Sequence, residues 1–105
     1  MPHVSINGIE KKDFDAVYGR IQTVISGIVS VGREKVVLEY VPAPLYICDE
    51  PAEGLATVHI WWRRRPAHMQ KDVAFAVGEI IKTQTGKKNV KVKYVNLDPD
   101  DLYDV

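Results

Sequence analysis

The sequence has few or none of several features that would point to particular classes of protein. It contains a single cysteine, Cys48, which excludes an internal disulfide and favours an intracellular setting. Lys plus Arg and Asp plus Glu number 14 each, so the net charge is zero. That balance disfavours a general binder of nucleic acid or of acidic membrane surfaces. No apolar run is long enough to cross a bilayer, and no signal peptide is evident. We therefore expect a cytoplasmic protein.

The common motifs for metals, phosphates and nucleophiles are also missing from the sequence. His3, His59 and His68 do not have the spacing of helical or zinc-finger ligands. There is no glycine-rich phosphate loop and no hydrolase serine motif. Cys48 lies in a proline-rich segment without a CxxC partner, so we expect it to have no chemical role. The sequence predicts neither a metal nor a cofactor.

The pattern of apolar residues and turn signals predicts one α+β domain over residues 1–105. The order is β-α-β followed by β-α-β, which suggests a four-stranded mixed sheet with two helices on one face. The tail, residues 98–105, is acidic and is expected to be loosely held. The predicted strands are 3–7, 35–41, 56–62 and 90–96, and the predicted helices are 13–29 and a second one between Pro66 and Gly86.

The alternation of side chains along the strands separates two faces of the sheet. Even positions, from Val4 to Tyr94, are apolar or aromatic and are predicted to lie beneath both helices. Odd positions are mixed in polarity. A fully solvated face would not normally carry the apolar residues found there, so we expect it to pack against other subunits. These apolar residues are Val37, Val41, Trp61 and Val95.

Pro2 precedes the first predicted strand and is the most informative single residue. Cells commonly remove an initiator methionine before proline, and removal of Met1 would leave a secondary amine at the start of the strand. An ordinary α-amino group titrates near pH ~8, and burial lowers that pKa by disfavouring the cation. Such an amine could act as a catalytic base. Many sequences also begin Met-Pro without any chemical consequence.

The predicted topology brings cations towards this amine. A right-handed β-α-β unit places the second strand parallel to the first, so Arg33 would start that strand near Pro2. If the third strand runs antiparallel beside the first, its end, with Trp62 and the run 63–65, lies there too. Arg65, next to a helix N-terminus, suits a carboxylate or phosphate. The first two arginines of the run are expected to turn into water.

Three segments together resemble a known family. They are Met1-Pro2-His3, then Arg33 with the strand 37–39, then the run 58–62 with Arg65 and Gln70 beyond it. The chain resembles the tautomerase (4-oxalocrotonate tautomerase/MIF-like) superfamily, and within it the small bacterial branch described as a domain of unknown function with a Met-Pro-His start (DUF1904-like).

The resemblance implies keto-enol isomerisation of a small, anionic carbonyl acid. In this reading Pro2 acts as base or acid, and Arg33, Arg65 and Trp62 contact the substrate. It also implies a homotrimer with active sites at the subunit borders. His3, Glu39 and His59 are candidates for supporting contacts or for the interface. His59 stands where we expect an acidic residue in that branch, and the usual aromatic and glycine-containing tail is missing.

Two alternatives are open at this point. The chain could be a non-catalytic oligomeric binding or assembly protein with the same fold. It could also be a ferredoxin-like module, which has the same order of elements but places the second strand beyond the third. An RNA-recognition version is disfavoured because the Gly-aromatic strand signature is missing.

Overall fold

The computed structural model describes residues 2–105; Met1, whose removal decides whether Pro2 has a free amine, lies outside the described residues. Six strands and two helices follow one another in this part of the chain, with single-turn 3-10 helices at Arg33–Lys35 and Pro99–Asp101. The elements are β1 His3–Asn7, α1 Lys11–Val29, β2 Val37–Val41, β3 Tyr46–Ile47, β4 Glu50–Pro51, β5 Leu55–Arg63, α2 Ala67–Thr85 and β6 Asn89–Leu97.

The main sheet has four strands in the order β2-β1-β5-β6. Strand β1 pairs in parallel with β2 and antiparallel with β5, and β5 pairs in parallel with β6. The α+β prediction is therefore confirmed. The ferredoxin-like alternative is wrong, because β2 lies at the outer side of β1 and does not reach the far side of β5.

The two β-α-β halves are built alike and meet at the antiparallel pair β1–β5. In the first half the Val37 N–H donates to the Pro2 carbonyl at 2.9 Å. In the second half the Asn89 N–H donates to the Gly54 carbonyl at 3.0 Å. Pro2 and Gly54 therefore occupy equivalent positions, each one residue before the first strand of its half.

The core lies between the sheet and the two helices, and it confirms the strand alternation. The even positions Val4, Ile6, Val58, Ile60 and Trp62 are fully buried. Full burial of an Ile or Val side chain stabilises the fold by roughly 1.5–3 kcal/mol. The helices contribute residues at helical spacing to the same core. These are Phe14, Val17, Ile21, Ile25 and Val29 from α1 and Val73, Val77 and Ile81 from α2.

The helix ends differ slightly from the sequence prediction. Helix α1 begins two residues earlier than predicted, because the Glu10 carbonyl accepts the N–H groups of Asp13 and Phe14, both at 3.0 Å. Helix α2 begins at Ala67, directly after Pro66, and ends at Thr85, before Gly86, whose φ of 73° lies in the left-handed region. Within residues 2–105, no helix is long and apolar enough to cross a membrane.

A short hairpin in the proline-rich connection was not predicted. Its strands β3 and β4 have two residues each, and the turn residues Cys48 and Asp49 both have positive φ, at 49° and 65°. Tyr46 and Ile47 are exposed on it. Strands this short show no alternation, and a proline within a run argues against a strand. The usual Asn-Gly or Asp-Gly turn signal is also missing.

Candidate active site

Pro2 is fully buried at one end of the main sheet. Its carbonyl is tied to β2 by the Val37 N–H, and β1 pairs with β5 from His3 opposite Trp61 onward. Continuing that register by one residue places Pro2 opposite Trp62. The predicted meeting of the start of β1, the start of β2 and the end of β5 at one end of the sheet is therefore confirmed.

Trp62 and Arg65 form an aromatic and cationic cluster at this end of the sheet. The buried Trp62 indole donates through Nε1 to Asn96 Oδ1 at 2.9 Å and stacks on Tyr94, with ring centroids 4.7 Å apart. The Arg65 Cζ lies 5.8 Å from the Trp62 ring, a cation–π distance. Arg65 Nε is buried and has no hydrogen-bond partner within residues 2–105. A buried donor without a partner is uncommon, so this guanidinium can take up an acceptor without giving up an existing bond at Nε.

Tyr94 connects the Trp62 indole to helix α2. Its hydroxyl donates to the Gln70 carbonyl of α2 at 2.6 Å. Burial raises the pKa of the Tyr94 hydroxyl, because the phenolate would lose its hydration. The side chain therefore stays neutral at physiological pH and links β6 to α2 beneath the Trp62 indole.

Arg33 is directed elsewhere. Its Nη2 donates to the Gly19 carbonyl and to Gln22 Oε1 of α1, both at 3.3 Å. Gln22 in turn donates to the Val36 carbonyl at 3.1 Å. In the described part of the chain, Arg33 makes no polar contact with Pro2. The structure thus brings Arg65 and Trp62 together at the end of the sheet where Pro2 lies, and it directs Arg33 onto the surface of α1.

The remaining predicted residues lie on the open face of the sheet, opposite the helices. His3 Nε2 and Glu39 Oε1 are 2.8 Å apart, and the buried Ser5 hydroxyl lies 3.4 Å from the same carboxylate oxygen. His59 pairs in register with Ser5 on the other side, and its ring stacks on Trp61 at 5.8 Å. Glu39 is therefore joined to His3 within the chain, and His59 is joined to an aromatic neighbour.

The C-terminal tail lies over one end of this open face and encloses a groove of about 530 Å³. The tail bends at the 3-10 turn, where the Asp98 N–H donates to Asp101 Oδ2 at 2.9 Å. Sequence reasoning missed this groove; the only signal was Leu102, an apolar residue within the acidic tail. The lining residues are His3, Glu39, Trp61, Leu97, Asp101, Leu102 and Asp104.

Several solved structures share this fold. A domain of unknown function (DUF1904) from Sebaldella termitidis superposes with a TM-score of 0.88 at 21% identity, covering 99% of this chain and 95% of that one. A macrophage migration inhibitory factor-like protein from Entamoeba histolytica gives 0.79 at 12% identity, covering 98% and 95%. A fused 4-OT, solved as an asymmetric trimer, gives 0.82 at 10% identity, covering 96% and 90%. No curated protein matches the sequence.

These superpositions confirm the tautomerase/MIF-like fold that the resemblance implied. The family described as "Domain of unknown function (DUF1904)" matches residues 1–104, nearly the whole sequence. The chain belongs to the DUF1904 family.

Proposed function

We propose that this protein is a tautomerase-like enzyme that uses the amine of Pro2, exposed by removal of Met1, to isomerise a small carbonyl acid between its enol and keto forms. The observation that carries the proposal is the position of Pro2, buried at the sheet end where Trp62 and Arg65 stack. Burial favours the neutral amine, which is the form that accepts a proton.

The proposed step is a proton transfer between carbon and oxygen. The Pro2 nitrogen takes the proton from one atom of the enol system and returns it to the other. The Arg65 guanidinium binds the substrate carboxylate and, through the cation, stabilises charge that develops on the carbonyl oxygen. Trp62 holds Arg65 in place by the cation–π contact. Arg33 would join the site only by leaving its contacts with Gly19 and Gln22.

The proposed assembly is a homotrimer that acts in the cytoplasm. The support is the open sheet face, where Val37 and Val95 are 37% and 41% exposed in the single chain. Exposed valines on one face of a sheet favour burial against another copy of the same chain. The superposition on a fused 4-OT trimer is consistent with that use of the fold.

The test begins with the state of the amino terminus. The mature protein is purified, its mass measured, and its ability to convert the enol of phenylpyruvate to the ketone followed by the loss of enol absorbance. We expect a mass without Met1 and a rate that falls by roughly 10²- to 10⁴-fold in Pro2→Ala, the usual value of general-base catalysis.

The matched control is Pro44→Ala, which removes a proline from the exposed connecting segment. It should retain the wild-type rate. Equal rates of enol conversion for wild type and Pro2→Ala, or full activity in protein that still carries Met1, would contradict the proposal.

One observation favours a second candidate, a non-catalytic oligomeric binding or assembly protein. Arg33 contacts α1 and makes no polar contact with Pro2, so of the two arginines expected to bind a substrate beside Pro2, the described chain shows Arg65 packed on Trp62 and Arg33 directed away. Under this candidate Met1 stays in place. Mass spectrometry showing full retention of Met1, together with no enol conversion, would support it.

A further inference from the structure

The open face of the main sheet carries opposite charges at its two edges. Strand β2 is one edge of the sheet and β6 is the other. The strand register places four side chains in one row across this face, in the order Glu39, Ser5, His59 and Lys93. The row therefore begins with a carboxylate on one edge strand and ends with an ammonium group on the opposite one.

The acidic edge includes the groove that the C-terminal tail encloses. Its carboxylates come from Glu39 and from the tail residues Asp101 and Asp104, and no Lys or Arg lines it. Glu39 meets His3 at 2.8 Å, but neither tail carboxylate forms a salt bridge within residues 2–105. The apolar walls of the groove are Trp61, Leu97 and Leu102. The groove therefore suits a partner that brings both positive charge and an apolar side chain.

The basic edge of the sheet has both of these properties. Lys91 and Lys93 are exposed at alternate positions of β6, and Val95 follows them with 41% of its surface exposed. All three are odd positions, so their side chains lie on the open face. In the described part of the chain neither lysine forms a salt bridge, and the outer side of the nine-residue β6 pairs with no strand. An edge strand of this length is a natural point of contact with another chain.

The acidic and the basic edge cannot meet within one chain. Two strands separate β2 from β6, so three strand spacings, about 14 Å in all, lie between Glu39 and Lys93. Two grooves cannot meet each other either, because that contact would bring carboxylates together. The complement of each groove is the β6 edge of a second copy of the chain. Since the two surfaces are different, the contact is head-to-tail, and contacts of that kind form a ring when the rotation closes.

We propose that the tail groove of one copy receives the β6 edge of the next copy. Lys91 and Lys93 of the incoming strand lie against the groove carboxylates, and its Val95 packs on Trp61 and Leu102. This contact rests on the proposed homotrimer and specifies which two surfaces meet in it. The acidic tail thereby takes part in assembly, and each groove is covered by a neighbouring copy in the closed ring.

The test exchanges the charges of the two surfaces in the full-length protein and measures mass by sedimentation and light scattering. Lys93→Glu places a carboxylate against the acidic groove, and Asp104→Lys places an ammonium group against the basic strand. Each change should raise the dissociation constant about 10²-fold, because like charges are then juxtaposed, and should shift the mass from three copies towards one. The variant with both changes restores opposite charges and should recover the three-copy mass. That recovery, with circular dichroism of all three variants, separates a loss of charge pairing from a loss of folding.

The matched control is Lys12→Glu, the same charge reversal on α1, where the side chain is 77% exposed. It should keep the wild-type mass. A three-copy mass in either single variant, or a combined variant that stays dissociated, would overturn the proposed contact and leave the homotrimer standing. A wild-type mass of one chain would overturn the homotrimer and the contact together. The enol-conversion rate of Pro2→Ala is a separate measurement, so failure of the proposed proton transfer is distinguishable from failure of this contact.

Discussion

The two faces of the main sheet are made from the same strands but differ in burial and in polarity. On the helix face the side chains of Val4, Ile60 and Trp62 are completely buried and contact other apolar groups. On the open face the neighbouring positions carry Ser5, His59 and a partly exposed Trp61, joined by hydrogen bonds and ring contacts. One face therefore forms the core, whereas the other carries polar and aromatic side chains, of which His59 and Trp61 are partly exposed in the single chain.

The comparison teaches how differently the two faces are charged. Pro2 belongs to the helix face, where burial would favour an uncharged amine once Met1 is removed, and where Arg65 supplies a cation. The His3 and Glu39 pair belongs to the open face, where the lining charges are mostly acidic. The two faces of the sheet therefore have opposite electrostatic surroundings, cationic near Pro2 and acidic beside His3.

The largest expected effect is a difference in the free energy of unfolding between variants of the two adjacent tryptophans. Trp62→Ala should lower the free energy of unfolding by about 3–5 kcal/mol, because it empties a fully buried site and removes the partner of Asn96 and Arg65. Trp61→Ala should cost about 1 kcal/mol, since its side chain is partly exposed. Urea unfolding at one fixed protein concentration measures both. Equal losses would show that the open face is as much a core as the helix face.

The second prediction concerns Val95 on the open face. Val95→Glu should change the stability of the single chain by about 0.5 kcal/mol or less, because the side chain is 41% exposed. It should nevertheless dissociate the proposed homo-oligomer by placing a charge on the apolar face, which light scattering would detect as a fall in mass. Val105→Glu, at the exposed end of the tail, adds the same charge and should keep the wild-type mass. An unchanged mass in Val95→Glu would exclude this face as the interface.

The smallest effect is a pH dependence from Tyr94 on the helix face. Its folded pKa is raised above the ordinary value of about 10, so the folded state keeps a proton that the unfolded state loses. The contribution of Tyr94 is complete below pH ~10 and declines as the pH rises further. Tyr94→Phe loses the hydrogen bond to Gln70, which costs about 1 kcal/mol at neutral pH. Unfolding measured at pH 8 and pH 11 should show the gap between wild type and variant narrowing; a constant gap would contradict this.

Much of the fold followed from the sequence because the elements are long and strongly periodic. The alternation through Val58, Ile60 and Trp62 fixed the face of β5, and the helical spacing in α1 and α2 fixed their buried sides. The right-handed β-α-β rule then placed β2 beside β1. Local pattern and general topology were sufficient at these places.

The details of the site did not follow, because they depend on contacts between distant residues. Arg33 could reach either Pro2 or α1, and its contact with Gln22 depends on how the 3-10 turn is oriented. The groove forms because the tail folds back at the turn that begins with Asp98. No periodic pattern in the sequence predicts that turn. The hairpin at Tyr46 was missed because its two-residue strands are too short to show a pattern.

The equivalence of Pro2 and Gly54 has a consequence for rebuilding the chain. The Pro2 carbonyl accepts from β2 and the Gly54 carbonyl accepts from β6, so the backbone has two matching corners, one at the start of each half. A circular permutation that opens the chain between Glu53 and Gly54 and joins the old ends would exchange the roles of the corners. With Gly54→Pro, the permuted protein would begin with proline in the other half. Its enol-conversion rate could then be compared with that of the original chain, which tests the proposed role of the proline at each position.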